Sequence, residues 1–127
     1  MRLYFSQMKK KTLVIGASLK PIRYSYLAIE RLVRYDHPVV ALGLRKGIVA
    51  GIEIATEMIA WEDINTVTLY LNPQRQEQYY DYIISLAPKR VIFNPGTENP
   101  VFYKLLQEEG IEWEVACTLV LLGTNQY

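Results

Sequence analysis

The stretch "TLVIGASLKPIRYS", residues 12–25, decides the fold. Its apolar run stops at Gly16, and a helical pattern of apolar residues begins near Ser25. An apolar run without alternation is typical of a strand buried on both faces of a parallel sheet. A glycine between such a strand and a helix allows a phosphate to approach the backbone, although the G-x-G-x-x-G spacing of dinucleotide-binding domains is not present. The stretch predicts a strand, a turn and a helix, and the turn is either a phosphate site or an ordinary connection.

The rest of the chain repeats this alternation of strands and helices. Further strands are predicted at 38–44, 66–71, 90–94 and 111–115, with a turn-rich excursion containing a small hairpin at 45–54. Asn72–Pro73 and Asn99–Pro100 each supply a capping side chain and an N1 proline for a helix. This order predicts an α/β domain with a three-layer, doubly wound, Rossmann-like parallel sheet. We expect about five strands in the order 3-2-1-4-5.

Composition limits the classes of protein to which the chain can belong. Of its 127 residues, 50% are hydrophobic and 21% charged, and the formal net charge is +1, which is typical of one globular domain. The balanced charge argues against a broad basic face for nucleic acid or anionic lipid. One cysteine cannot form an internal disulfide, and no apolar stretch is long enough to cross a membrane, so we expect a cytoplasmic protein. Residues 1–7 lack a secretory signal, and we expect a flexible, dispensable extension before a single domain at 8–127.

Ligands bind such sheets beyond the carboxyl ends of the strands, where the winding reverses, which we expect between the first and fourth strands. In the loop after the first strand, Gly16 permits close approach and Ser18 can donate a hydrogen bond. Lys20 and Arg23 add positive charge there, next to the partly positive end of a helix. The loops at Asn72–Pro73 and at Gly96–Thr97 end at the same edge, and the second of these is a further turn of backbone donors.

The loop after the second strand distinguishes between nucleotide ligands. An NAD-binding domain places an acidic residue there to hold the ribose hydroxyls. In this chain Asp36 precedes the strand, and Arg45 and Lys46 follow it. Unless these cations are simply solvated, they predict a nucleotide with an additional ribose phosphate, such as coenzyme A or NADP.

No catalytic constellation is evident in the sequence. His37 is the only histidine and is predicted at the end of the sheet opposite Cys117, so a Cys/His nucleophile pair is not expected. No metal-ligand spacing occurs. Cys117 is expected to pack as a small apolar side chain, although thioester or redox contact stays open. The chain has ten tyrosines. Tyr24, Tyr26 or Tyr70 could stack on an adenine, and the alternative is that the tyrosines pack in the core or in a homo-oligomeric interface.

Several of these stretches together resemble a known family. "VIGASLKPIRYS", with its P-x-R-x-S ending at Ser25, joins "TVTLYLNP", "VIFNPGTEN", Gly51 and Cys117 in resembling the small stand-alone CoA-binding domain proteins. These are similar to the N-terminal domain of the succinyl-CoA synthetase α subunit, and the resemblance runs from Lys9 to Tyr127.

The resemblance implies a Rossmann-like fold that binds coenzyme A. It implies that the diphosphate lies at Gly16, Ala17 and Ser18, that Arg45 or Lys46 lies near the nucleotide phosphates, and that Gly96 and Thr97 border the pantetheine. The family commonly has an Asn-Pro pair where this chain has Gly43-Leu44. The catalytic phosphohistidine of the synthetase has no counterpart, so its ligase activity is not implied.

The interpretation that the residues favour is a module that binds coenzyme A or an acyl-CoA without chemistry of its own. One alternative is an NADP-binding oxidoreductase or a thiol-dependent thioester enzyme, and another is an interaction domain with a vestigial cleft. The candidate ligand-binding residues are Gly16, Ala17, Ser18, Lys20, Arg23, Ser25, Arg45, Lys46, Asn72, Pro73, Gly96 and Thr97.

Overall fold

The first predicted strand lies at the centre of the sheet. The structure, a computed structural model, describes residues 9–127, so the extension expected at 1–7 lies outside the described range. Strand β1 (Thr12–Ala17) pairs in parallel with β2 (Val39–Gly43) on one side and with β5 (Thr66–Leu69) on the other. All of its residues except Gly16 are buried, as expected from the unbroken apolar run.

Strands and helices alternate along most of the described chain. The remaining strands are β3 (Gly47–Val49), β4 (Ile52–Ala55), β6 (Arg90–Phe93) and β7 (Glu112–Val115). The helices are α1 (Tyr24–Arg34), α2 (Pro73–Gln76), α3 (Tyr80–Leu86), α4 (Pro100–Glu108) and α5 (Thr118–Gly123), with a 3-10 turn at Glu77–Tyr79 between α2 and α3. Asn72 and Asn99 cap α2 and α4 with their side chains, and a proline follows each, which confirms both predicted caps.

The predicted number and order of strands were wrong. The sheet has seven strands in the order β3-β4-β2-β1-β5-β6-β7, and only the β3–β4 pair is antiparallel. The predicted hairpin joins the sheet, because its second strand pairs in parallel with β2 and fills the position expected for 66–71. That segment, as β5, lies on the other side of β1, so the winding reverses between β1 and β5. Counting parallel strands alone gives the order 3-2-1-4-5-6 of dinucleotide-binding folds.

Helices cover both faces of the sheet and give the three expected layers. One apolar cluster joins Val14 to Ile29 and Leu32 of α1 and Leu122 of α5. The cluster on the other face joins β1, β5 and β6 to α3 and α4 through Leu13, Ile15, Val67, Phe93, Ile83, Phe102 and Leu106. Strand β7 is an edge strand, as its alternating pattern predicted. No helix within residues 9–127 has the length and apolar character needed to cross a membrane.

Candidate functional site

A cleft opens at the carboxyl ends of the strands, at the point where the winding reverses. Its larger part, the β2-side lobe, has a volume of about 530 Å³, and its smaller part, the β6-side lobe, about 240 Å³. The two lobes meet at Gly16, Ser18, Arg23, Tyr70 and Leu71. The further lining of the β2-side lobe is Ala17, Leu19, Lys20, Leu42, Gly43, Leu44, Arg45, Arg75 and Tyr79. That of the β6-side lobe is Tyr24, Ser25, Asn72, Pro95, Gly96 and Thr97.

Gly16 is required by the packing of the strands behind the cleft. Its φ angle is +93°, and a Cβ atom there would lie 3.0 Å from the carbonyl carbon of Tyr70. The Tyr70 N–H donates to the carbonyl of Ile15, so the segments that follow β1 and β5 cannot move apart without loss of this hydrogen bond. Both observations give Gly16 a structural role at the junction of the lobes, in addition to any contact with a ligand.

The loop after β1 presents hydrogen-bond donors to the cleft. The Ser18 hydroxyl oxygen accepts from the Lys20 N–H at 3.1 Å, which leaves the hydroxyl hydrogen free to donate elsewhere. Helix α1 begins at Tyr24 without a side-chain cap and without an acidic residue in its first turn. Its N-terminal end therefore keeps the partial positive charge of unpaired N–H groups, next to the cleft.

Four cationic side chains line the β2-side lobe, and no carboxylate does. They are Lys20, Arg23, Arg45 and Arg75, and all four are exposed. Within residues 9–127 the only ion pair joins Arg90, the first residue of β6, to Glu114 of the edge strand β7, and neither residue lines the cleft. The lobe therefore concentrates positive charge without an internal counter-charge, as a site for a polyanionic ligand does.

The loop after β6 uses its own donors internally. The Gly96 N–H donates to Oε1 of Glu98 at 2.9 Å, and the N–H and hydroxyl of Thr97 both donate to the carbonyl of Asn94. Neither residue offers a free N–H in this arrangement, and the Glu98 carboxylate would repel an anion. This wall of the β6-side lobe is therefore suited to an uncharged part of a ligand and not to a phosphate.

A buried amide ties the loops of the cleft together. Gln76, fully buried at the end of α2, donates from Nε2 to the carbonyls of Leu71 and Thr97, each at 2.8 Å. Its Oε1 accepts from Nδ2 of Asn99, which also donates to the Tyr80 hydroxyl. These bonds hold α2 and the loops after β5 and β6 in one arrangement.

Tyr70 lines the junction of the two lobes, and Cys117 lies near the end of β7. Burial raises the pKa of Tyr70, so its hydroxyl stays protonated at neutral pH and cannot act as a base. By distance and angle that hydroxyl has no hydrogen-bond partner within the described chain. The hydroxyls of Thr68 and Thr118 bond to each other at 2.8 Å. Cys117 precedes α5 at the end of β7, whereas His37 lies before β2, at the opposite end of the sheet.

Comparison with protein families decides the identity of the domain. The family model described as "CoA binding domain" matches residues 10–123. The chain belongs to this CoA-binding domain family. This confirms the family that the sequence motifs indicated.

Solved structures share the fold of this chain. An uncharacterised protein whose crystal structure is known is 49% identical, with a TM-score of 0.92, over 94% of this chain and 99% of that one. A Thermus thermophilus protein (21% identity, TM-score 0.83, 99% and 96% of the two chains) shares the fold. A hypothetical protein of Pyrococcus horikoshii (22%, TM-score 0.85, 98% and 89%) does so as well. No curated protein sequence matches the chain.

The cleft of this CoA-binding domain gathers ten of the twelve predicted site residues. Lys46 lies apart, in a groove beside β3 and β4, so that of the two cations after β2 only Arg45 faces the cleft. Pro73 does not line either lobe, and it serves as the first residue of α2. Asn72 lines the β6-side lobe, but its Oδ1 is occupied by the Arg75 N–H at 2.9 Å.

Sequence reasoning about this CoA-binding domain missed one wall of the cleft. Arg75 and Tyr79 come from α2 and the 3-10 turn that follows it, and both line the β2-side lobe. Their spacing of four residues, directly after a predicted strand end and cap, was the signal that could have identified them. Tyr79 is half-buried between the core and the cleft.

Proposed function

We propose that this chain binds coenzyme A or an acyl-CoA as a module without catalytic activity, and that the diphosphate of the ligand lies at the loop after β1. The observation that carries the proposal is the β2-side lobe with its four cations and no carboxylate. Coenzyme A carries a diphosphate and a separate ribose phosphate, which matches positive charge on more than one wall. The family assignment supports a ligand of this class.

The loop after β1 is the part of the cleft best suited to the diphosphate. It combines the free hydroxyl hydrogen of Ser18, the uncapped end of α1 and the side chain of Arg23. Arg23 lines both lobes, so its guanidinium can reach a group that lies where they meet. With the diphosphate at this junction, the adenosine and the pantetheine would lie in different lobes.

The end of β2 favours a phosphorylated ribose over the ribose of NAD. No carboxylate follows β2 in the β2-side lobe, where Leu44 and Arg45 are exposed. An NAD site would use an acidic residue here to accept from the ribose hydroxyls. Leu19 and Leu44 are 40% and 78% exposed. An adenine ring lying between them would bury this apolar surface and so favour binding.

The β6-side lobe provides a route for the uncharged pantetheine. The N–H groups of Gly96 and Thr97 already donate hydrogen bonds within the loop after β6. The Glu98 carboxylate disfavours an anion at this position. His37, the only histidine of the chain, lies at the end of the sheet opposite Cys117, which supports a binding role over a thiol-dependent enzyme, since a thiol nucleophile needs activation. We also propose that the domain acts in the cytoplasm, as a carrier or sensor or as the partner of another enzyme.

Thermal unfolding with added ligand tests this function. A ligand that binds only the folded state at one hundred times its Kd adds about 2.7 kcal/mol, or roughly 10 °C in Tm for a domain of this size. We expect such a shift with near-millimolar coenzyme A and a smaller one with dephospho-CoA or NADP. No shift with coenzyme A would contradict the proposal, and a larger shift with NADP would favour the oxidoreductase.

Two substitutions locate the ligand and test the thiol. Arg23→Gln is expected to weaken coenzyme A binding about tenfold by removing a charge-assisted contact. Arg34→Gln, an exposed arginine at the far end of the same helix, is the matched control and should leave the affinity unchanged. Cys117→Ser should also leave the affinity unchanged, and a thioester turnover that disappears in this variant would instead establish the enzyme alternative.

A further inference from the structure

Arg75 and Tyr79 form a wall of the β2-side lobe to which no ligand contact has yet been assigned. They are four residues apart in the helical segment 73–79 and line the same lobe, whereas Gln76 between them points into the protein. Residues at this spacing share one face of a helical segment. The side chain of Arg75 is therefore presented to the cleft by the same face as the ring of Tyr79.

Helix α2 is held rigidly, although it has only four residues. Its N-terminus is capped by Asn72, with a proline at N1, and its C-terminus is fixed by Gln76. Gln76 bonds to the loops after β5 and β6 and to the cap of α4. The backbone that carries Arg75 is consequently ordered before a ligand arrives, so binding there costs little conformational entropy beyond that of the side chain.

Arg75 is not neutralised by any other side chain that lines the β2-side lobe. No carboxylate lines the lobe, and Arg75 makes no ion pair with any residue in 9–127. The other charged side chains that line the lobe are Lys20, Arg23 and Arg45, all of them cations. An anion between the walls would relieve the repulsion among these charges and would be held by two guanidinium groups.

We propose that Arg75, together with Arg45, binds the ribose 3′-phosphate of coenzyme A and makes the site selective for ligands that carry this phosphate. The inference rests on the proposed function. Arg75 takes the role of second cation, for which the sequence had suggested Lys46. Lys46 lines a different groove, beside β3 and β4. A guanidinium suits this task because it can donate two parallel hydrogen bonds to phosphate oxygens.

Isothermal titration of the full chain with coenzyme A and with dephospho-CoA tests the assignment. The wild-type protein should bind coenzyme A at least about tenfold more tightly, a ratio that one charge-assisted pair can supply. In Arg75→Gln the affinity for coenzyme A should fall about tenfold, and that for dephospho-CoA should stay within about twofold. Arg34→Gln should keep the wild-type ratio.

Each contrary outcome identifies what has failed. If Arg75→Gln lowers the affinity for both ligands equally, or for neither, Arg75 does not bind the 3′-phosphate, although the domain still binds coenzyme A. If the wild-type protein binds neither ligand, the proposed function is overturned together with this inference. Arg75→Lys is a second variant whose ratio should fall several-fold, since an ammonium group does not make the paired hydrogen bonds. An unchanged ratio in Arg75→Lys and Arg75→Gln alike would also overturn the inference.

Discussion

Replacing Gln76 by leucine should destabilise the domain more than its position in a four-residue helix suggests. Leucine has a similar volume but no amide, so the carbonyls of Leu71 and Thr97 lose their donor and Nδ2 of Asn99 loses one of its two acceptors. Gln76 is fully buried, so water cannot readily replace the amide.

The magnitude follows from the three lost hydrogen bonds. Each contributes about 1 to 1.5 kcal/mol net, and stranded buried partners raise the cost. We expect the free energy of unfolding to fall by about 3 to 5 kcal/mol, a large part of the 5–15 kcal/mol typical of a domain. The affinity for coenzyme A should fall as well, because the same bonds position α2 and the loops of the cleft.

Urea denaturation followed by circular dichroism measures this loss. The midpoint should fall while the slope of the free energy against urea stays constant, which separates a loss of stability from a change in the unfolded state. Gln78→Leu, an exposed glutamine two residues away, is the control and should change stability by no more than about 0.5 kcal/mol. A loss below about 1 kcal/mol in Gln76→Leu would refute the role assigned to this amide.

Two further perturbations test other parts of the structure. In urea titrations, Gly16→Ala should lower the free energy of unfolding by at least about 1 kcal/mol more than Gly96→Ala does. Both glycines have a positive φ, but only at Gly16 would a Cβ atom lie 3.0 Å from Tyr70. Equal losses in the two variants would contradict this reasoning. Burial, with the charges of Lys9 and Lys10, lowers the pKa of His37, whose Nδ1 accepts from the Lys10 N–H. The unfolded chain therefore binds the proton first as the pH falls below about 6.5, and stability should decrease from pH 7.5 to 5.5. His37→Gln should flatten this dependence of the urea midpoint, and equal slopes would count against it.

The elements with strong local signals were predictable from the sequence. The unbroken apolar run of Thr12–Ala17 indicated a central strand, and the alternation at 111–115 indicated an edge strand, because burial on both faces or on one face leaves a direct trace in the sequence. Asn72–Pro73 and Asn99–Pro100 marked two helix starts for the same reason: capping is local chemistry.

The strand order depended on a pairing that leaves no local trace. Strand β4 has only four residues, and in the sequence it looks like half of an isolated hairpin with β3. Its other edge pairs in parallel with Ala41 and Leu42 of β2, a contact between segments separated by a turn and a short strand. Pairing of this kind is decided by tertiary packing, so the position of Thr66–Leu69 on the far side of β1 could not be derived from periodicity.

Arg45 and Lys46 show why the residues of a site are harder to predict than the loops that carry them. Both lie in the short turn between β2 and β3, and both have the charge that a ribose phosphate requires. Arg45 nevertheless lines the cleft, whereas Lys46 lines a groove beside β3 and β4. The separation arises because β3 begins at Gly47, so the chain is already turning away from the cleft at Lys46. If one phosphate is held from two walls, the second cation must then come from another element. Arg75, on the capped and tethered helix that follows β5, is the only further arginine that the described chain places in that lobe besides Arg23.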